Sequence, residues 1–234
     1  MTIINNTLIE PDIVDTSNLV QALRNLGEHD HADRVEACGS TTPGVPYPKK
    51  CKSRWCRNCQ ATKGKAAKRK LFPRMDFSQH HYFATLVYAD VAEITPEHVQ
   101  GMKKAVARLR EKVALKEIRG AYGALEVSYH PTEAHPYHLH AHLLLEGRLK
   151  QKGQRSIDVL TDAWVRSGGE SDVRHRFLRK DAAGITPKKE IQNCFRYMSK
   201  GLSPTIPALA QESILRAFGR ASNSFCWSYF RGTE

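Results

Sequence analysis

His138, His140 and His142 occupy alternate positions in the run YHLHAHLLLE, and Glu126 stands in the preceding ALEVSYH. Imidazoles and a carboxylate converging on one spot are ligands for a divalent cation. The donor set alone does not separate Mg2+, Mn2+, Zn2+ and Co2+. A second group of ligand-forming residues lies upstream, at Cys38, Cys51, Cys56 and Cys59. In a reducing compartment such spacing points to metal rather than disulfides, and Cys56-Arg-Asn-Cys59 is a pair able to grip one side of a tetrahedral ion. Four thiolates on Zn2+ leave a net negative charge, which the neighbouring Lys and Arg would offset. The spacing departs from two plain CxxC pairs, so His29 and His31 stand as substitute ligands. Cys194 and Cys226, isolated in sequence, are expected in the core.

Strands must place the imidazoles. HYFATLVYA, AYGALEVSYH and YHLHAHLLLE are rich in aromatic and β-branched or apolar residues at strand length. Thr95-Pro96 predicts a helix start, and Val99, Met102, Val106, Leu109 and Val113 carry its stripe towards Gly120. A helix over SIDVLTDAWVRSGG, a fourth strand in DVRHRFLRK and a helix in TPKKEIQNCFRYMSKGL follow. The order β-α-β-β-α-β predicts an α+β fold of the split βαβ, ferredoxin-like kind. That is an antiparallel sheet with strands one and three central, helices on one face and the other face free.

Alternation then assigns the faces. Leu139, Ala141, Leu143 and Leu145 point under the helices, whereas His138, His140 and His142 point to the free side. Leu125, Val127 and Tyr129 share the buried parity, and Glu126 does not. If Tyr129 and Tyr137 close the hairpin, Glu126 falls across from His140; a slip that kept the parity would set it opposite His138 or His142. In the last helix of this core Ile191, Cys194, Phe195, Met198 and Leu202 form the apolar stripe, and Gly201 is placed to end it. Glu190, Asn193, Tyr197 and Lys200 lie on the other side.

The 234 residues allow one domain, or one with a small annex. The expected division is residues 1–75 as an N-terminal helix (LVQALRNLG, ended by Gly27) and cysteine-rich annex, 76–205 as the core, and 206–234 as a helix-and-strand extension. The net charge of +12 favours a polyanionic partner. Its distribution is more telling: Lys49, Lys50, Lys52, Arg54, Arg57, Lys63, Lys65, Lys68, Arg69 and Lys70 crowd one acid-free segment, which predicts nucleic-acid binding. The second half of that segment reads as a basic helix. No apolar run of about 18 residues occurs, so no membrane span is expected. The N-terminus lacks a basic start and an apolar core, which leaves a cytoplasmic protein as the expectation.

Taken together, FATLVY at Phe83–Tyr88, ALEVSYH leading to HLHAHLLL, and YMSK at Tyr197–Lys200 resemble the single-tyrosine rolling-circle replication initiators of small bacterial plasmids. These belong to the HUH endonuclease superfamily. CKSRWCRNC resembles the cysteine-rich zinc segment ahead of the core in some of them. The resemblance covers about residues 38–202. It implies a nicking and joining endonuclease that cuts single-stranded or hairpin origin DNA, keeps the 5′ phosphate on a tyrosine and leaves a 3′ hydroxyl primer. It assigns Tyr197 as nucleophile, Lys200 as a charge partner, and Glu126, His140 and His142 as ligands of Mg2+ or Mn2+, with His138 as an extra ligand. A host helicase, the replication machinery and a second copy of the chain are the protein partners it implies. Some relatives carry a Glu one turn before the tyrosine to activate water, and here that turn holds Asn193. Two alternatives stand beside this reading: an HUH transposase or mobilisation relaxase, and a zinc-stabilised nucleic-acid-binding regulator without activity.

Overall fold

Five strands form one antiparallel sheet: β1 (His81–Val91), β2 (Ile118–Tyr129), β3 (Tyr137–Gly147), β4 (Val173–Phe177) and β5 (Ser224–Ser228), in the order β4-β1-β3-β2-β5. The computed structural model describes residues 15–41, 48–112, 117–149, 155–219 and 224–228. With seven α-helices among those residues the fold is α+β. Helix α4 (Pro96–Arg110) joins β1 to β2 and α5 (Ser156–Val165) joins β3 to β4. Since β3 runs antiparallel to both neighbours, β1 and β2 share a direction on either side of it.

The apolar parity of β3 builds the larger core. Leu139, Ala141, Leu143 and Leu145 are fully buried with Ala84 and Leu86 of β1 and Leu125 and Val127 of β2. Val99, Met102, Val106 and Leu109 of α4 and Leu160, Ala163 and Trp164 of α5 cover them. Thr95 begins α4 in a capping box with His98, and Pro96 sits in the first turn, where its missing N–H costs nothing. The helix ends at Arg110; Val113 lies outside the described residues.

The second face is not free, contrary to the expectation of helices on one face only. Helices α3 (Arg57–Leu71) and α6 (Lys188–Met198) lie on it, and Ile191, Cys194, Phe195 and Met198 pack on Tyr122, Ala124 and Leu144. The reason is compositional. One end of this face is apolar and would expose a patch that the stripe of α6 can bury. Phe195, 1% exposed, stacks on Tyr122 at 4.9 Å between ring centres. The half bearing the histidines is less covered: His138 and His140 are half-buried, and His142 is closed over.

Helix α1 (Ser17–Asn25) stops at Gly27, whose φ of 75° suits a residue without a side chain. Helix α2 (His29–Glu36) was not expected; it buries only Ala32 and Val35, too few contacts to leave a periodic signal. Helix α7 (Ala208–Phe218) packs against α1 and α4. Trp55 of the cysteine segment meets Phe218 edge-on at 5.0 Å, so annex, extension and sheet share one apolar cluster. Among the described residues no helix is long and apolar enough to cross a membrane.

Gly201 does not end α6, which stops at Met198. Its role is close approach: a Cβ there would lie 2.2 Å from the Trp55 carbonyl oxygen and 2.7 Å from the Arg57 nitrogen. Next to it the Leu202 N–H donates to the same Trp55 oxygen at 3.0 Å. This contact fixes the exit of α6 against the annex. Gly201→Ala should lower unfolding free energy by about 1–3 kcal/mol, because backbone must move to admit the methyl group. Chemical denaturation checks this, and an unchanged midpoint would show that the approach is not strained.

Candidate functional site

The β2–β3 ladder sets Glu126 across from His140, with Tyr129 paired to Tyr137. Glu126, His140 and His142 bring one ligand atom each within 4.8 Å of one another. The carboxylate leans diagonally, so that Glu126 Oε2 stands 3.0 Å from His142 Nε2. His142 is almost wholly buried, and its Nε2 has no hydrogen-bond partner despite that distance. Two ligand atoms each about 2.1 Å from one ion, at right angles, lie about 3.0 Å apart. The separation suits a hydrogen bond and a shared cation alike; the off-axis approach of the pair disfavours the hydrogen bond, and the donor set fits a divalent ion.

The other ring nitrogens are held. Thr85 Oγ1 on β1 lies 2.9 Å from His142 Nδ1. His140 Nδ1–H donates to the His138 carbonyl at 3.2 Å, which leaves the Nε2 lone pair available. Burial, with His142 beside it, lowers the pKa of His140 to about 4. Burial opposes charge on Glu126, but the contact to His142, with His140 and Lys200 nearby, outweighs it and holds the carboxyl below its ordinary value. At neutral pH the site thus offers a carboxylate and, at His140, a neutral imidazole.

Tyr197 on α6 faces this group. Its ring is edge-on to His142 at 4.8 Å and to Phe83 at 5.7 Å, and it remains 41% exposed. Burial, and then the charge of Glu126, raise the pKa of the phenol. Lys200 Nζ sits 3.4 Å above the ring centre, over its π face. Burial lowers the Lys200 pKa; Glu126 works against that, and Arg57 adds to it. Asn193 Oδ1 accepts from Arg196 at 3.3 Å, and Glu190 pairs with Arg176 of β4 at 3.1 Å. Neither offers a carboxylate one turn before Tyr197.

His138 stands apart from this trio. It groups instead with His130 and Glu133 of the hairpin loop. Thr85 was missed in the sequence; only the β1–β3 register, Thr85 against His142, places it here.

Cys38, Cys51, Cys56 and Cys59 lie within 4.8 Å of one another and could hold a metal such as zinc. Sulfur separations are 3.5 Å for Cys51–Cys59 and 3.6 Å for Cys38–Cys59 and Cys38–Cys56. That is far beyond the ~2.05 Å of a disulfide and close to the ~3.8 Å edge of a zinc tetrahedron with bonds of about 2.3 Å. Burial drives the Cys51 thiol strongly towards its protonated form, so its thiolate needs a cation. His29 and His31 are outside this group, and His31 pairs with Glu28 at 3.0 Å.

Of the basic residues, Lys49, Lys50, Lys52, Arg57, Lys63, Lys65, Arg69 and Lys70 are exposed; Arg54 and Lys68 are half-buried, over the rings of Trp55 and Phe72. Lys65 and Lys68 of α3 line a groove of about 260 Å3 with Asn193 and Arg196 of α6. On the other side Arg57, Lys200, Glu126 and Ser128 line a pocket of about 350 Å3. Comparison with models of known protein families, with curated proteins and with solved structures returns no match.

Two outcomes are expected. The His140 ring should show no NMR titration from pH 8 down to about pH 5, since its lowered pKa keeps it neutral while an ordinary imidazole protonates near 6.5; a midpoint near 6.5 would contradict its burial. Purified protein should carry zinc at about one ion per chain, released by Cys56→Ser with a drop in thermal midpoint. Metal analysis of both proteins checks this, and zinc-free wild type with the same midpoint would refute it.

Proposed function

We propose that this protein is a metal-dependent nicking and joining endonuclease that initiates rolling-circle replication by cutting single-stranded origin DNA through Tyr197. The observation that carries the reading is the seat of the Tyr197 ring, 4.8 Å from His142 on the histidine-bearing half of the sheet, where Glu126 and His140 converge. The strand order and the parallel β1 and β2 split by β3 support the split βαβ arrangement of the HUH endonucleases that the motifs resemble. The basic face of α3, packed beside α6, supports a DNA path to the tyrosine.

In the proposed reaction the phenolic oxygen of Tyr197 attacks phosphorus in line. A bond from phosphorus to that oxygen forms as the bond to the 3′ oxygen of the preceding nucleotide breaks. The phenolic proton passes to water and the departing 3′ oxygen takes one up, leaving a hydroxyl primer. One phosphodiester replaces another, so no nucleotide hydrolysis is needed and the reverse step rejoins the strand. Glu126, His140 and His142 would hold Mg2+ or Mn2+, which supplies Lewis-acid polarisation of the scissile phosphate when bound. Because burial and Glu126 keep the phenol protonated at rest, proton loss accompanies attack rather than preceding it. Lys200 sits over the face of the ring, and the tyrosine remains partly exposed.

Incubation with single-stranded origin oligonucleotide and Mn2+ should give a covalent adduct mapped by mass to Tyr197. Tyr197→Phe should abolish it, and Glu126→Gln or His140→Ala should cut its rate by ~100-fold or more. Adduct formation by Tyr197→Phe would overturn the assignment and turn attention to Tyr229, which lies outside the described residues. Origin binding with no adduct from wild type would favour a non-enzymatic regulator.

A further inference from the structure

We infer that His130, Glu133 and His138 form a second divalent-cation site at the β2–β3 hairpin, separate from the Glu126 centre and from the cysteines. One ligand atom from each lies within 4.8 Å of the others. His138 Nε2 stands 3.0 Å from Glu133 Oε2, yet it is buried and makes no hydrogen bond. This is the same signature as His142 Nε2 with Glu126. Elsewhere in the chain equal or shorter distances do give hydrogen bonds, as for His31 with Glu28 at 3.0 Å. The off-axis approach at His138 is therefore a property of the site.

Asp90 completes the arrangement. Its Oδ1 accepts from His138 Nδ1–H at 2.7 Å, which puts the ring proton on the far nitrogen and leaves Nε2 its lone pair. A carboxylate behind a histidine in this way orients the ring and raises its basicity as a ligand. Asp90 reaches this face only because β1 bulges between Val87 and Ala89. Strict alternation from Thr85 and Val87 would turn it to the other side, and re-aiming one side chain is what a bulge does. The Val87 carbonyl at the bulge accepts from Trp164 Nε1 at 2.6 Å and from the Glu170 N–H at 3.1 Å, so the irregularity is held in place. In the loop, His130 N–H donates to Pro136 and Glu133 N–H to His130, at 2.9 and 3.2 Å. The His130 ring stands edge-on to His138 at 4.6 Å.

Two imidazoles and one carboxylate suit a borderline ion such as Zn2+ or Co2+, with the remaining positions open to water or to a phosphate oxygen. The inference does not depend on the nicking reaction.

Co2+ is the probe, added to full-length protein whose cysteines carry zinc and which has been dialysed free of other metal. Visible absorption and bound cobalt after dialysis should show two equivalents per chain. The double variant His130→Ala/Glu133→Gln should lose one, and Glu126→Gln the other. Asp90→Asn should weaken the hairpin equivalent by ~10–100-fold without altering the second. Both side chains of the double variant are half exposed, so its fold should persist, and an unchanged circular dichroism spectrum establishes this. Two equivalents retained by the folded double variant, or a wild-type chain that binds only the equivalent removed by Glu126→Gln, would overturn the site. In either case the adduct assay on Tyr197 is untouched, so the two proposals fail separately.

Discussion

The register of the β2–β3 hairpin is the constraint on which the rest depends. A slip of one residue would turn His138, His140 and His142 into the core and expose Leu139, Leu143 and Leu145, all fully buried as the chain stands. Burial of those leucines thus enforces the position of the imidazoles. A slip of two would keep the core but carry Glu126 away from His140. Tyr129 against Tyr137, ring centres 5.1 Å apart at the closing end, opposes that slip. Hydrophobic burial selects the face, and one aromatic pair selects the partner.

The tyrosine is positioned from the opposite side by a different kind of contact. Helix α6 is seated by Phe195 between Tyr122 and Phe72, and its exit is pinned where Gly201 lies against Trp55 and Arg57. The same short segment leads from Trp55 to Cys56 and into α3. A metal held by the cysteines would therefore bear on the placement of Tyr197 through backbone contact. This would give the annex a positioning role alongside its basic surface.

Much of this was legible in sequence because it rests on periodicity. The alternation in YHLHAHLLLE fixed which side the imidazoles take, and the spacing of Ile191, Cys194, Phe195 and Met198 gave the buried stripe of α6. What that stripe packs on was not legible: the apolar end of the second face depends on Tyr122 and Leu144 becoming neighbours across β2 and β3. The bulge that brings Asp90 to His138 left no signal, since no glycine or proline marks it and its stabilising donor, Trp164, is more than seventy residues away. Gly201 was read as a helix stop because glycine often is one. Its close approach to Trp55 exists only in three dimensions.

The electrostatics around Tyr197 complete the argument. Burial, and then the charge of Glu126, disfavour the phenolate, while burial lowers the pKa of the Lys200 ammonium over the ring. Lys200 also meets the π face and not the oxygen, so it steadies the ring more than it acidifies it. Left to itself the chain therefore holds Tyr197 as a phenol. Positive charge placed against Glu126 would cancel the second of the two effects that raise the phenol's pKa and leave only burial. In the proposed reaction a cation held at Glu126 would thus ease loss of the phenolic proton without any movement of α6.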